Sequence, residues 1–179
     1  MRHVALGAVL LVGLGRGVAA ASGDPALSGD EIRRLMTDEH RHVRAVDGRI
    51  GGALADGLSR SPTFAELVVA LDRSDVIVYI ESDRRLAPSL AGRMLLAATP
   101  HGARYLRIQI ALSLKGDDLI AVIGHELRHA LEVAESEVRD DVSLIALYQA
   151  IGRAAHGLHS YDTIAAQNAG RQVLTELTG

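Results

Sequence analysis

The chain has 179 residues, a net charge of −3 at pH 7, no cysteine and no tryptophan. Its length suits a single domain with a full hydrophobic core, and a slightly acidic chain without a basic, aromatic-containing stripe argues against a nucleic-acid-binding protein. Because cysteine is absent, disulfides are excluded, and stability must come from packing and from any bound metal ion.

The first residues have the pattern of a secretory signal peptide. The start is positively charged, residues 4–14 are apolar, and the small residues at 18–21 are typical of a cleavage region. The apolar stretch is too short for a permanent membrane-spanning helix, and an uncleaved amino-terminal anchor is the alternative. We therefore expect a signal peptide at 1–21, a single domain at 22–179, and a secreted or periplasmic bacterial protein without a stable membrane anchor after cleavage.

Helical patterns recur along the rest of the chain, most of them opened by a residue that can cap a helix. Thr63 and Glu66 have the spacing of a capping box at the start of the third helix, and Asp117 or Asp118 can cap the fourth. The six predicted helices cover residues 28–36, 47–58, 61–74, 117–134, 137–151 and 163–177.

Three strands are predicted between the third and fourth helices. Residues 76–80 are rich in β-branched side chains, and the strands at 93–99 and 105–112 are joined by a turn-forming segment. Polar and apolar residues alternate along 105–112, so one face of that strand is polar, and an extended peptide could pair with it by strand addition. The alternative is an ordinary half-buried edge strand. These elements predict an α+β fold with a short mixed or antiparallel sheet.

The fourth helix carries the most informative motif of the chain, His125-Glu126-Leu127-Arg128-His129. Two histidines four residues apart lie about 40° apart around a helix, so both imidazoles can bind one metal ion. Glu126 can take a proton from a metal-bound water and pass it to a leaving amine. The helix is apolar nearly all round, which predicts that it is buried. Buried polar groups need partners or a metal, so the motif predicts a metal site.

This motif and its apolar surroundings resemble those of the zincin metallopeptidases, in particular the gluzincins and a smaller branch with an aspartate ligand. The resemblance implies a small zincin-like domain in which the buried motif helix is followed by carboxy-terminal helices. It also implies Zn²⁺ as the cofactor, His125 and His129 as metal ligands, and Glu126 as the catalytic base. Arg128 departs from the family, whose residues around the motif are usually uncharged, and argues against efficient peptidase activity.

Catalytic zinc usually has three protein ligands, so one ligand must come from outside the motif. Glu132 lies on the same helix face, but it follows His125 by seven residues, a rise of about 10 Å. At that distance the two side chains are too far apart for both to bind one metal ion. We therefore expect Glu132 at the rim of the site or behind its ligands.

The resemblance to gluzincins implies a carboxylate ligand on a later helix. Asp162 lies 33 residues after His129, at the predicted start of the last helix, and is the expected third ligand. Its alternative role is to cap that helix. His159 and Tyr161 could stabilise an oxyanion. The other candidate ligands are Glu137, Asp140, His156 and His159.

The expected function is that of a secreted, zinc-dependent metallopeptidase that hydrolyses bonds in a peptide or protein substrate. One alternative is a catalytically inactive zinc-binding structural or interaction protein of the same fold. Another is a metal-free helical binding module. Metal analysis of the purified protein tests the second alternative, and turnover of a broad peptide library tests the first.

Overall fold

The computed structural model describes residues 41–98, 102–154 and 161–179. The predicted signal peptide and the first predicted helix, at 28–36, lie outside these residues. Within them the protein is α+β, with five helices, a four-stranded mixed sheet and a small two-stranded ribbon, so the predicted fold class is confirmed. None of the helices in these ranges has the length and hydrophobicity that a membrane crossing requires.

The elements follow the predicted order, with three short strands added. The structure contains β1 Val43–Ala45, α1 Gly48–Arg60, α2 Pro62–Asp72, β2 Val76–Asp83, β3 Gly92–Ala98, β4 Arg104–Ala111, α3 Gly116–Ala134, α4 Asp141–Ile151, β5 Arg153–Ala154, β6 Tyr161–Asp162 and α5 Ile164–Thr178.

The sheet has the strand order β1-β2-β4-β3. Strand β2 is parallel to β1 and β4, whereas β3 is antiparallel to β4 and lies at the edge. Both alternatives for residues 105–112, strand addition and an edge strand, are therefore wrong, because β4 is hydrogen-bonded on both sides. Its polar side chains instead pair with neighbouring strands: Gln109 donates to Glu81, at 2.7 Å, and accepts from Arg93, at 2.6 Å.

Two helix starts differ from their predictions because other residues make the caps. Ser61, not Thr63, is the N-cap of α2 and accepts a hydrogen bond from the Phe64 amide. The chain enters α3 through Gly116, at φ +55°, a conformation that favours glycine. The N-cap of α3 is therefore Lys115, and the two aspartates that follow lie in the first turn, where negative charge favours the helix dipole.

Helix α4 begins at 141, later than the predicted 137, because Asp140 and Ser143 form its capping box. Helix α5 begins at 164, one residue after the predicted 163, because Thr163 is its N-cap.

Helix α3 lies at the centre of the described fold. It packs against α1, α2 and α5 and against strands β2, β3 and β4. It approaches α5 closely at Gly124, where an added Cβ would lie 2.9 Å from Val173 Cγ2. Thirteen of its residues are buried, including both motif histidines. The prediction of a buried motif helix followed by carboxy-terminal helices is confirmed.

Candidate metal centre

The two motif histidines lie on one face of α3, directed into the protein. Their ring centroids are 4.9 Å apart, with an edge-to-face arrangement. His125 is 1% exposed and His129 is fully buried. The four-residue spacing on an apolar helix therefore places two imidazoles together in the interior, where polar atoms are costly unless they have partners.

Asp162 reaches these histidines from β6. Its Oδ1 lies 3.4 Å from His125 Nε2 and 3.5 Å from His129 Nε2. Its Oδ2 accepts a hydrogen bond from Gln167 Nε2, at 3.0 Å, which fixes the carboxylate from the side of α5. Thr163, not Asp162, caps α5. The alternative role for Asp162 as a helix cap is therefore excluded.

The three side chains fit a metal ion. One ligand atom from each lies within 4.8 Å of the others, and all three residues are buried. Among the described residues, His125 Nε2, His129 Nε2 and Asp162 Oδ1 have no hydrogen-bond partner. Ligand atoms about 2.0–2.1 Å from a tetrahedral zinc ion lie about 3.4 Å apart, close to the two Nε2–Oδ1 distances. This buried cluster can therefore hold a metal ion.

The charges within the cluster are strongly coupled. Burial and the neighbouring His129 lower the pKa of His125 to about 4. Burial acts in the same direction on His129, but the carboxylates of Asp162 and Glu132 outweigh it and raise its pKa to about 9. Burial raises the pKa of Asp162, but the two histidines and Gln167 outweigh burial and hold the pKa below its ordinary value. Without a metal, His129 is therefore the cation that balances the carboxylates at neutral pH.

Glu126 lies beside the cluster and outside the ligand set. It is 1% exposed, and its Oε2 has no hydrogen-bond partner among the described residues. Burial raises its pKa to about 7, against the opposing effect of His129. An added Cβ at Gly92, the first residue of β3, would lie 2.6 Å from Glu126 Oε1. The absence of a side chain at 92 makes room for this carboxylate.

Glu132 lies behind His129 rather than at the rim. Its Oε2 is 2.9 Å from His129 Nδ1, and its Oε1 accepts a hydrogen bond from Thr163 Oγ1 at 2.6 Å. Burial raises its pKa, but the bonds from His129 and Thr163 outweigh that effect and keep it below the ordinary value. As expected from its spacing, Glu132 is not one of the three residues that could hold the metal ion.

Arg128, the charged residue between the histidines, is partly exposed. Its guanidinium lies 3.2 Å from Glu135 Oε2 and 3.9 Å from Glu132 Oε1. Its charge is thus paired on the outer side of α3.

Among the described residues, the other candidate ligands from the sequence are not part of this cluster. Glu137 is exposed, and Asp140 caps α4. His156 and His159 lie outside the described residues, and Tyr161 is partly buried in β6.

Sequence reasoning missed Tyr148, whose hydroxyl donates to the His129 carbonyl at 3.0 Å. Its ring contacts the His129 ring edge to face, with centroids 5.4 Å apart. A lone tyrosine in a predicted helix carried no signal that could have identified it.

Comparison of the chain with protein-family models, with curated proteins and with solved structures found no match. What can be inferred about its function therefore comes from its own residues.

Proposed function

We propose that the protein is a zinc-dependent metallopeptidase of the zincin type. The observation that carries the proposal is the convergence of His125, His129 and Asp162 in the interior. Glu126 lies beside them, and its Oε2 has no hydrogen-bond partner within the described part of the chain. Buried polar atoms without partners are rare, so their clustering points to a ligand and to chemistry. The signal-peptide pattern of residues 1–21 in the sequence supports an activity outside the cytoplasm.

The donor set, together with a glutamate directly after the first histidine, supports zinc as the metal. Two imidazole nitrogens and one carboxylate oxygen are typical of a catalytic zinc site with three protein ligands. When bound, zinc supplies a Lewis acid that polarises a carbonyl and lowers the pKa of water toward about 7. The three side chains would hold it from two segments, His125 and His129 from α3 and Asp162 from β6.

Glu126 is the group that moves the proton. With a pKa of about 7, its carboxylate can accept a proton from the attacking water and, once protonated, deliver it to the leaving amine. Burial keeps this carboxylate away from bulk water, and Gly92 leaves space for it. Glu126 directly follows His125, a proposed ligand, so its carboxylate would lie close to the reacting atoms.

A peptide substrate could use the edge of the sheet. Strand β3 is hydrogen-bonded to β4 on one side and lies at the edge of the strand order. It begins at Gly92, beside Glu126. An extended peptide paired with β3 would therefore pass close to Glu126, the proposed base. Strand β4 cannot pair with a peptide, because it already has a neighbour on each side.

The decisive variant is Glu126→Gln, which keeps the size of the side chain and removes its ability to accept a proton. We expect zinc content and melting temperature to match the wild type, while turnover falls by about 10² to 10⁴, the usual contribution of a general base. Cleavage of a broad peptide library, read by mass spectrometry, measures turnover. His129→Ala is the control that loses the metal as well. Wild-type turnover in Glu126→Gln would contradict the mechanism.

A zinc-binding protein without turnover is the second candidate. It is favoured by the burial of the motif, since His125, Glu126 and His129 are each 1% exposed or less. The same peptide library separates the two candidates: zinc-loaded wild type that cleaves nothing would support this one.

A further inference from the structure

The carboxylate of Glu132 is buried and has a partner on each oxygen. Oε2 is 2.9 Å from His129 Nδ1, and Oε1 is 2.6 Å from Thr163 Oγ1. Only 5% of the residue is exposed. Placing a carboxylate in the interior costs free energy unless hydrogen bonds compensate, and here two side chains from different segments supply them.

The contact with His129 determines which ring nitrogen can face the metal cluster. A carboxylate only accepts hydrogen bonds, so Nδ1 must carry the proton in this contact. A metal ion can then replace the proton on Nε2, the atom 3.5 Å from Asp162 Oδ1, while Nδ1 keeps its own. Carboxylates that orient histidine ligands in this way also increase their basicity.

The contact with Thr163 links the Glu132 carboxylate to the segment that carries Asp162, the third proposed ligand. Thr163 follows Asp162 directly, and its Oγ1 caps α5 by accepting from the Ala166 amide at 3.0 Å. Glu132 therefore connects the helix that carries both histidines to the segment that carries Asp162.

We propose that Glu132 is a positioning residue that fixes the tautomer of His129 and aligns Asp162 through Thr163. The proposal rests on the proposed metal site, and it explains why a glutamate lies buried on α3 without belonging to the ligand set. Because Glu132 acts through other residues, its removal should change how the metal is bound, beyond any change in the stability of the fold.

The first experiment compares Glu132→Gln with Glu135→Gln, two identical substitutions three residues apart on glutamates that both approach Arg128. Glu135 is exposed and makes no contact with the cluster, so it is the matched control. Zinc affinity is measured at a single pH by competition with a chromophoric chelator, and the visible absorption of the Co²⁺-substituted protein reports on ligand geometry. We expect a loss of about 10- to 100-fold in zinc affinity and an altered Co²⁺ spectrum for Glu132→Gln only.

A second pair of variants tests the link to Asp162 and does not depend on the folding of Glu132→Gln. Thr163→Val removes the hydroxyl, whereas Thr163→Ser keeps it. We expect weaker zinc binding and a changed Co²⁺ spectrum in the valine variant, and wild-type behaviour in the serine variant. A purely structural role would lower the melting temperature of the metal-free protein and leave the Co²⁺ spectrum unchanged.

The outcomes separate this proposal from the proposed function. Wild-type zinc affinity and an unchanged Co²⁺ spectrum in Glu132→Gln would overturn the positioning role and leave the metal site in place. If Glu132→Gln does not fold, identical metal binding in the two Thr163 variants would overturn it. A wild-type protein that binds neither zinc nor cobalt would overturn both proposals.

Discussion

Among the residues of the candidate metal site, His129 makes contacts with the largest number of the others. Its Nδ1 contacts Glu132, its Nε2 faces Asp162, and its carbonyl accepts a hydrogen bond from Tyr148. The two carboxylates raise its pKa to about 9, above the ordinary value of 6.5. The metal-free protein therefore keeps both ring nitrogens of His129 protonated throughout the neutral range, and a metal ion must displace the proton on Nε2.

This proton predicts how zinc affinity depends on pH. Below about pH 9 one proton leaves His129 for each ion bound, so the logarithm of the apparent affinity should rise by about one unit per pH unit between pH 6 and 9. Chelator competition at several pH values measures the slope. An affinity that does not change over this range would mean that His129 is already neutral in the metal-free protein.

Gly92 provides a test of the position of Glu126. A Cβ at this site would lie 2.6 Å from Glu126 Oε1, so Gly92→Ala must displace the carboxylate. Small misplacements of catalytic groups are costly, and we expect turnover to fall by about 10- to 100-fold while zinc content is retained. Gly52→Ala is the matched control, because an added Cβ there meets no atom within 4 Å. Equal turnover in the two variants would refute this role of Gly92.

The sequence could predict the residues on α3 but not the contacts between distant segments. The four-residue spacing on an apolar helix is sufficient to predict that His125 and His129 converge. Asp162 is predicted as a ligand only through a family resemblance, since nothing local determines how a segment 33 residues later folds back. The bond between Glu132 and Thr163 depends on the same tertiary packing, so spacing excluded Glu132 as a ligand without revealing its partners.

At the scale of elements, strand positions were predictable and strand order was not. The alternation in 105–112 correctly indicates two different faces, but it says nothing about which neighbours a strand has. Strand β4 became central because β2 and β3 both pair with it. The three-residue β1 lacks enough residues for a periodic signal, and its pairing with β2 again depends on tertiary packing.

The carboxyl end of α3 depends on Arg104, a buried residue of β4. Its guanidinium donates to the carbonyls of Val133, Ala134 and Ser136 and forms an ion pair with Asp75. Arg104→Met would remove one donor from each of these groups, although Ser136 still donates to Val133 and Arg139 still pairs with Asp75. We expect the free energy of unfolding to fall by about 2 to 4 kcal/mol.

Urea denaturation of the metal-free protein measures this loss. Arg104→Lys keeps the charge but lacks the planar set of donors, so it should lose less than Arg104→Met. Stability equal to the wild type in Arg104→Met would contradict this role.

For the whole molecule, the three candidate ligands come from two segments that pack together only in the folded chain, and no disulfide adds to stability. An ion that binds only the folded state stabilises it by RT ln(1 + [L]/Kd), about 2.7 kcal/mol at a hundredfold excess over Kd. Chelation should therefore lower the melting temperature by about 5–10 °C. His129→Ala is the control whose melting curve should not respond to chelator. An unchanged wild-type curve after verified metal removal would contradict a metal that stabilises the fold.

The close packing of α3 on α5 at Gly124 and Val173 affects how metal loss in any variant should be interpreted. Asp162 lies just before α5, so its distance from the histidines depends on how firmly that helix docks. A substitution at Val173 that loosens the docking would release zinc without touching a ligand. Metal occupancy therefore also reports on how firmly α5 packs against α3. A substitution removes a ligand directly only if zinc is lost while the amides of α5 keep their protection from hydrogen exchange.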